Sequence, residues 1–209
     1  MEQDPLIHVI AVSYQRFGEL KVFVQSWLNQ TSKNWILTVI HDGPSEEFTE
    51  VMTAYRDVDP ARIEFYNTEK RYNDWGHSLR EIGLNSAKGD YVMLTNADNY
   101  FIPKAVEFIN EVYHSCGRKN IDVILYNMVH SHNTPGGRDL PSYSFFDVQY
   151  SRHQIDMTSG VVATHLAKRV GFRDKLPDGD ATYYEDIHRA KLPEKLMIFK
   201  SARVLVVHN

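Results

Sequence analysis

Only one cysteine, Cys116, occurs in the 209-residue chain, so no internal disulfide can form. That scarcity fits a reducing compartment. Apolar runs are short, and none approaches the ~18 residues that span a bilayer. The N-terminal stretch MEQDPLIHVIAVSYQR is acidic ahead of its apolar run, unlike a secretory signal. The expected location is the cytoplasm. No dense Lys/Arg block is present and the formal net charge is -4, which disfavours binding to a nucleic-acid backbone. Neither a G-x-G-x-x-G fingerprint nor a P-loop lysine motif occurs, so a dinucleotide fold and a P-loop ATPase lack support. Internal repeats and low-complexity tracts are missing too.

What is there is ordinary globular material, 43% hydrophobic and 24% charged, enough for a sizeable core in one domain. Ile7 to Ser13 is a β-branched run of the kind buried on both faces. Leu20, Phe23, Val24, Trp27 and Leu28 then recur at helical spacing. Trp35 to Ile40 and Arg62 to Tyr66 read as further strands, separated by a helix that Ser45 would cap. A third helix is expected over Trp75 to Ala87, followed by the Tyr91 strand, a helix from Ala105 and a strand from Ile121 to Tyr126. Such alternation predicts an α/β domain with a mostly parallel central sheet and helices on both faces. Beyond about residue 128 the stretch HSHNTPGGRDLPSYSFFDVQYSRHQ predicts a long loop or a small extra hairpin. Thr158 to Thr164, an Ala181 to Lys191 helix and an Arg203 to His208 strand close the domain.

In sheets of this type ligands bind beyond the carboxyl ends of the strands. The polar residues there are Ser13-Tyr14-Gln15, His41-Asp42-Gly43, Asn96-Ala97-Asp98-Asn99 and His208-Asn209. Each has a bland reading. Asp42 could close a turn before Gly43-Pro44, Asp98 or Asn99 could cap the next helix, Asp186 could be an exposed helix-face residue, and His208 could be solvated.

Taken in order, VIAVSYQR, SWLNQTSKNWILTVIHDGPSEE, GHSLREIGLNSAKGDYVMLTNADNYFIP, TSGVVATHLAKRVGF and YYEDIHRAKL resemble the GT-A glycosyltransferases of the family 2 type. The resemblance runs over nearly the whole chain. It implies a single Rossmann-like GT-A domain over residues 1–209, with about 1–100 binding the nucleotide and about 101–209 serving acceptor and catalysis. It also implies a metal-dependent transfer of sugar from a UDP- or dTDP-sugar to an acceptor hydroxyl, with inversion through a carboxylate base. Ser13, Tyr14, Asp42, Arg80 and Asn96 would hold the nucleotide, and Asp98 and His208 a divalent cation, Mn2+ or Mg2+. Glu185-Asp186 matches the catalytic pair, with Asp186 as base. An acceptor-only carboxylate at Asp42 suits the imide N–H of uracil or thymine.

One departure stands out: Asn96 and Ala97 replace the first aspartate and middle residue of the Asp-x-Asp metal motif. Two other classes stay open: a nucleotidyltransferase, which can share a similar nucleotide-binding sheet, and a non-catalytic nucleotide-sugar or glycan-binding module, which the Asn96 substitution allows. The former would want a Gly-rich, basic loop where SYQRFGELK offers only Arg16 and Lys21. His130, His132 and His153 do not make a zinc pattern, having no second ligand pair nearby. Some of these histidines, with Tyr143 and Tyr150, are expected to line the acceptor side. The chain stops at His208-Asn209 without the amphipathic helices many relatives place beyond, as expected of a module from a longer polypeptide.

Overall fold

A computed structural model describes residues 3–117, 121–131 and 142–209. His132 and residues 133–141 of the expected loop lie outside these. The first half alternates as its periodicity predicts: β1 (Ile7–Ser13), α1 (Phe17–Leu28), β2 (Trp35–His41), α2 (Glu46–Val58), β3 (Ile63–Asn67), α3 (His77–Asn85), β4 (Tyr91–Asn96). The second half follows with β5 (Tyr100–Phe101), α4 (Ala105–Ser115), β6 (Val123–His130), β7 (Ser144–Phe146), β8 (Gly160–Ala163), α5 (Thr164–Val170), α6 (Gly179–Lys191) and β9 (Ile198–His208).

Every residue of β1 is buried, which is why its sequence shows no polar alternation. Strands β1, β2, β3 and β4 pair in parallel, in the order β3-β2-β1-β4. Strand β8 then runs antiparallel to both β4 and β6, and β6 pairs in parallel with β9. The sheet is thus mixed in its second half, although its long strands share one direction. The expected hairpin is β6 with β7, joined antiparallel.

Helix α2 begins where the sequence says it should: the Ser45 side chain accepts from the Phe48 N–H, and Glu46 and Glu47 fill the first turn. Helix α3 does not. It starts at His77, because Trp75 and Gly76 adopt left-handed backbone (φ 62° and 80°) that a helix cannot include. The first crossovers run from β1 outward to β3, and the chain then returns to place β4 on the other side of β1. That reversal opens a crevice at the carboxyl ends of β1 and β4.

Candidate active site

A cleft of about 630 Å³ occupies this crevice, with Ser13, Tyr14, Asp42, Arg80, Asn96, Asp98 and His208 in its lining. The chain folds so that seven of the nine residues singled out from the sequence share one cavity. Arg71, Trp75, Asp156 and Asp180 join them there.

At one end, the Arg71 guanidinium lies 3.9 Å over the Tyr14 ring. Asp42 organises the loop beside it: Oδ1 accepts from the Tyr72 N–H at 2.7 Å and Oδ2 from the Asn73 N–H at 3.0 Å. Each carboxylate oxygen keeps a second lone pair, so Asp42 retains acceptor capacity toward the cleft.

Arg80 forms the floor. Its Nη1 donates to the Trp75 carbonyl (2.8 Å) and its Nη2 to Asn96 Oδ1 (2.5 Å). Asn96 therefore spends its oxygen on a buried cation, which gives the residue a structural use independent of any ion. Burial pulls the Arg80 guanidinium below its ordinary value, while the carboxylates of Asp180, Asp156, Asp74 and Asp98 push it back. An arginine stays charged under such conditions, so the cleft is floored by a fixed positive group.

His130 belongs to no zinc pattern in the sequence, yet the topology gives it a partner. In the parallel β6–β9 pair, His130 is the register partner of His208. Their rings stack at 4.2 Å. Asp156 Oδ2 lies 3.7 Å from His130 Nε2 and 3.8 Å from His208 Nε2. Asp156 caps the 3-10 turn Met157–Ser159, accepting from the Thr158 N–H, and this cap fixes its direction. Burial works against the Asp156 charge, but the His208 charge and contact with His130 hold its carboxyl well below the usual range. One ligand atom from each of the three lies within 4.8 Å of the others, a spacing a divalent cation could draw together. His153 is exposed and takes no part.

Asp98 stands at the cleft wall beside this cluster, with Oδ2 paired to Arg16 Nη1 at 2.7 Å. Its Oδ1 is buried and has no hydrogen-bond partner among the described residues. Burial pushes its carboxyl up, and Arg16 and His208 partly offset this. An orphaned carboxylate oxygen in a cleft that Asp156 and His208 also line offers a further donor for a divalent cation.

Asn99 is not a helix cap. Its Nδ2 donates to Thr95 and Thr158 hydroxyls, and its Oδ1 accepts from the Asn209 N–H. It ties the end of β4 to the turn before β8 and to the end of β9.

The structure does not bring Glu185 and Asp186 to the cleft. Asp186 accepts from Arg173 (2.5 and 3.1 Å) and Arg189 (2.8 Å), and Glu185 from Arg152 at 2.9 Å twice. The carboxylate of α6 that does line the cleft is Asp180, in the helix's first turn. Asp186 is six residues further, about 9 Å along the axis and some 240° around it. Asp180 Oδ2 accepts from the Met157 N–H at 3.1 Å. Burial, then the charge of Asp156, raises its carboxyl to about 6, against the pull of Arg80. The sequence did carry a signal for it, since Pro177-Asp178-Gly179-Asp180 is a helix start and a first-turn side chain faces what lies ahead of the helix.

With this geometry in hand, the comparisons with known proteins decide the family. The family model described as "Glycosyl transferase family 2" matches residues 8–161. The chain belongs to glycosyl transferase family 2. An uncharacterized glycosyltransferase of Methanocaldococcus jannaschii is 24% identical over 180 residues, covering 82% of this chain and 60% of the relative. One from Haemophilus influenzae is 26% identical over 156 residues, covering 74% and 54%. Among solved structures, S. aureus TarS 1-349 superposes with a TM-score of 0.75 at 14% identity, over 98% of this chain and 60% of TarS. The mannosyltransferase PcManGT of Pyrobaculum calidifontis, solved with GDP-Man and Mn2+, gives 0.71 at 13% identity over 98% and 57%. At such identities these two establish a shared GT-A fold. The family 2 domain described here spans 60% or less of the length of these relatives.

Proposed function

We propose that this domain moves a sugar from a nucleoside-diphosphate sugar to an acceptor hydroxyl, with inversion at the anomeric carbon. One observation carries the reading: a single cleft is lined by Tyr14 and Asp42, by Asp98, Asp156 and His208 (on which His130 stacks), and by a carboxylate raised to about 6 at Asp180. TarS, also solved with UDP-GlcNAc, and PcManGT with GDP-Man share the fold, which supports a nucleotide sugar as donor.

Asp42 is assigned to the base, where an acceptor-only group selects the imide N–H of uracil or thymine, so UDP- or dTDP-sugars are the proposed donors. Tyr14 and Ser13 flank the nucleoside. Arg80 fixes Asn96 and supplies a positive floor. A divalent cation held by Asp98, Asp156, His130 and His208 would offset the charge that builds on the departing diphosphate. The mixed imidazole and carboxylate set suits Mn2+ better than Mg2+, which prefers oxygen ligands and waters.

Asp180, rather than Asp186, is the proposed general base. A base works best with a pKa near the working pH. Ionised, Asp180 would take the proton of the acceptor hydroxyl as that oxygen attacks the anomeric carbon. Bound beside Arg80, it keeps its orientation through the Met157 N–H. Tyr143 lines a second groove that shares Asp98 and Asn209 with the cleft, consistent with an acceptor approach on that side. Tyr150 instead packs half-buried, its hydroxyl donating to the Tyr184 carbonyl at 2.5 Å. The test is a binding and turnover screen of UDP-, dTDP- and GDP-sugars with and without Mn2+. Saturable binding of a uridine or thymidine diphosphate sugar, with slow donor hydrolysis that stops in Asp180→Asn, is expected. No binding of any nucleotide sugar overturns the reading.

A further inference from the structure

Between β3 and α3 the backbone turns left-handed at Asn73 (φ 53°), Trp75 (φ 62°) and Gly76 (φ 80°). Gly76 belongs there, since a Cβ would meet Val12 Cγ2 at 2.7 Å. A tryptophan does not belong there on local grounds, because its Cβ crowds the backbone in this conformation. The turn is nonetheless held on both sides. Arg80 Nη1 grips the Trp75 carbonyl, and Asp74 Oδ2 accepts from the Ser78 N–H at 3.0 Å and its hydroxyl at 2.5 Å. Strain that the surroundings over-determine points to a use for the residue that carries it.

Trp75 lines the cleft and is 55% exposed, whereas Trp27 and Trp35 are fully buried. The Tyr14 face is already covered by Arg71, while among the described residues no ring or cation is stacked on Trp75. Its carbonyl is held by Arg80, the guanidinium on which the Asp180 carboxylate acts. His77, two residues on, donates from Nε2 to the Leu176 carbonyl at 2.9 Å, stitching this turn to the segment that leads into Pro177 and Asp180. In a nucleotide sugar the ring beyond the diphosphate must reach the proposed general base, Asp180, since the anomeric carbon is where the acceptor attacks. The C–H face of a pyranose is apolar and carries partial positive charge, complementary to the electron-rich face of an indole.

We propose that Trp75 is the platform on which the donor's pyranose ring stacks, and that it sets which sugar the cleft prefers. The inference rests on the nucleotide-sugar reading above and adds a residue that reads the sugar rather than the nucleotide.

Intrinsic fluorescence tests it directly, because Trp75 is the exposed one of three tryptophans. The whole chain with Mn2+ is titrated with UDP, UDP-GlcNAc, UDP-glucose and GDP-mannose. A nucleotide sugar should shift the emission further to the blue than its nucleotide alone. Trp75→Ala should abolish that difference and weaken nucleotide-sugar binding by about three- to tenfold, the scale of one aromatic contact. UDP affinity should stay within about twofold, which also reports an intact fold. Trp75→Phe should fall between. Trp75→Gly, free of the left-handed strain, should melt no lower than wild type while losing the sugar-dependent shift. Equal spectral shifts with UDP and UDP-sugars, or equal losses of both in Trp75→Ala, overturn this inference and leave the functional reading standing. Binding of no nucleotide by the wild type removes both.

Discussion

Arg16 and Asp98 face each other across the cleft mouth at 2.7 Å, and the arginine's backbone is left-handed (φ 51°) to make the reach. Asp98 is the carboxylate proposed for the cation, yet one of its oxygens is held by this guanidinium. Asp98 is mostly buried but Arg16 is 58% exposed, so the arginine can swing away into solvent. Arg16→Ala should leave the melting temperature nearly unchanged but tighten Mn2+ binding in the absence of nucleotide by about two- to fivefold. Calorimetric titration of Mn2+ checks this, and equal or weaker binding would remove Arg16 as a competitor for Asp98.

The cation site itself predicts a hierarchy. Removing an imidazole that would touch the ion should weaken Mn2+ binding by at least the 10–100-fold typical of outer-shell partners. His130→Ala and His208→Ala should therefore behave alike, while His153→Ala should match wild type. Excess chelator should weaken nucleotide-sugar binding in wild type. A His130→Ala protein with unchanged Mn2+ affinity would leave His130 as a packing partner of His208 and nothing more.

Sequence legibility divides at these residues. Tyr14, Asp42 and Asp98 sit at ends of parallel strands, and strand ends can be located from apolar runs alone. The His130–Asp156–His208 cluster could not be seen that way. It needs the β6–β9 register and a 3-10 cap, both set by long-range pairing. Asp180 was overshadowed by the Glu185-Asp186 pair, since a motif match cannot say which turn of α6 meets the cleft. A helix from Trp75 is expected from the sequence, whereas the left-handed Trp75-Gly76 step delays its start to His77.

The two candidate bases separate cleanly. Asp180→Asn should bind the donor as wild type and lose transfer by about 10²–10⁴, the usual worth of a general base. Asp186→Asn should keep transfer within about threefold, because it removes only exposed pairs with Arg173 and Arg189. A base raised to about 6 is ionised above that pH, so wild-type turnover should fall as pH drops through about 6. The reverse ranking of the two variants would restore Asp186.

Two buried histidines predict how the fold responds to acid. His8 accepts from the Lys88 N–H at Nδ1 and pairs through Nε2 with the Thr38 hydroxyl, which fixes the neutral ring with its proton on Nε2. Burial, with Lys88 nearby, lowers His8 to about 4, and burial, with Arg80, lowers His77 to about 4. Between pH ~6.5 and ~4 the unfolded chain therefore binds protons that the folded one refuses. Stability then rises with pH across that window and is lost as pH falls through it, by at most about 3 kcal/mol for His8 at about 1.36 kcal/mol per unit and by less for His77, which solvent partly screens. Urea midpoints measured at pH 7 and pH 4.5 should differ accordingly. His8→Leu should be less stable at pH 7 by about 1–3 kcal/mol, because the Lys88 N–H and Thr38 hydroxyl lose a partner. It should also lose less between the two pH values than wild type does. A midpoint that does not move with pH, or an equal acid loss in His8→Leu, would show that His8 is not the group whose protonation unfolds the domain.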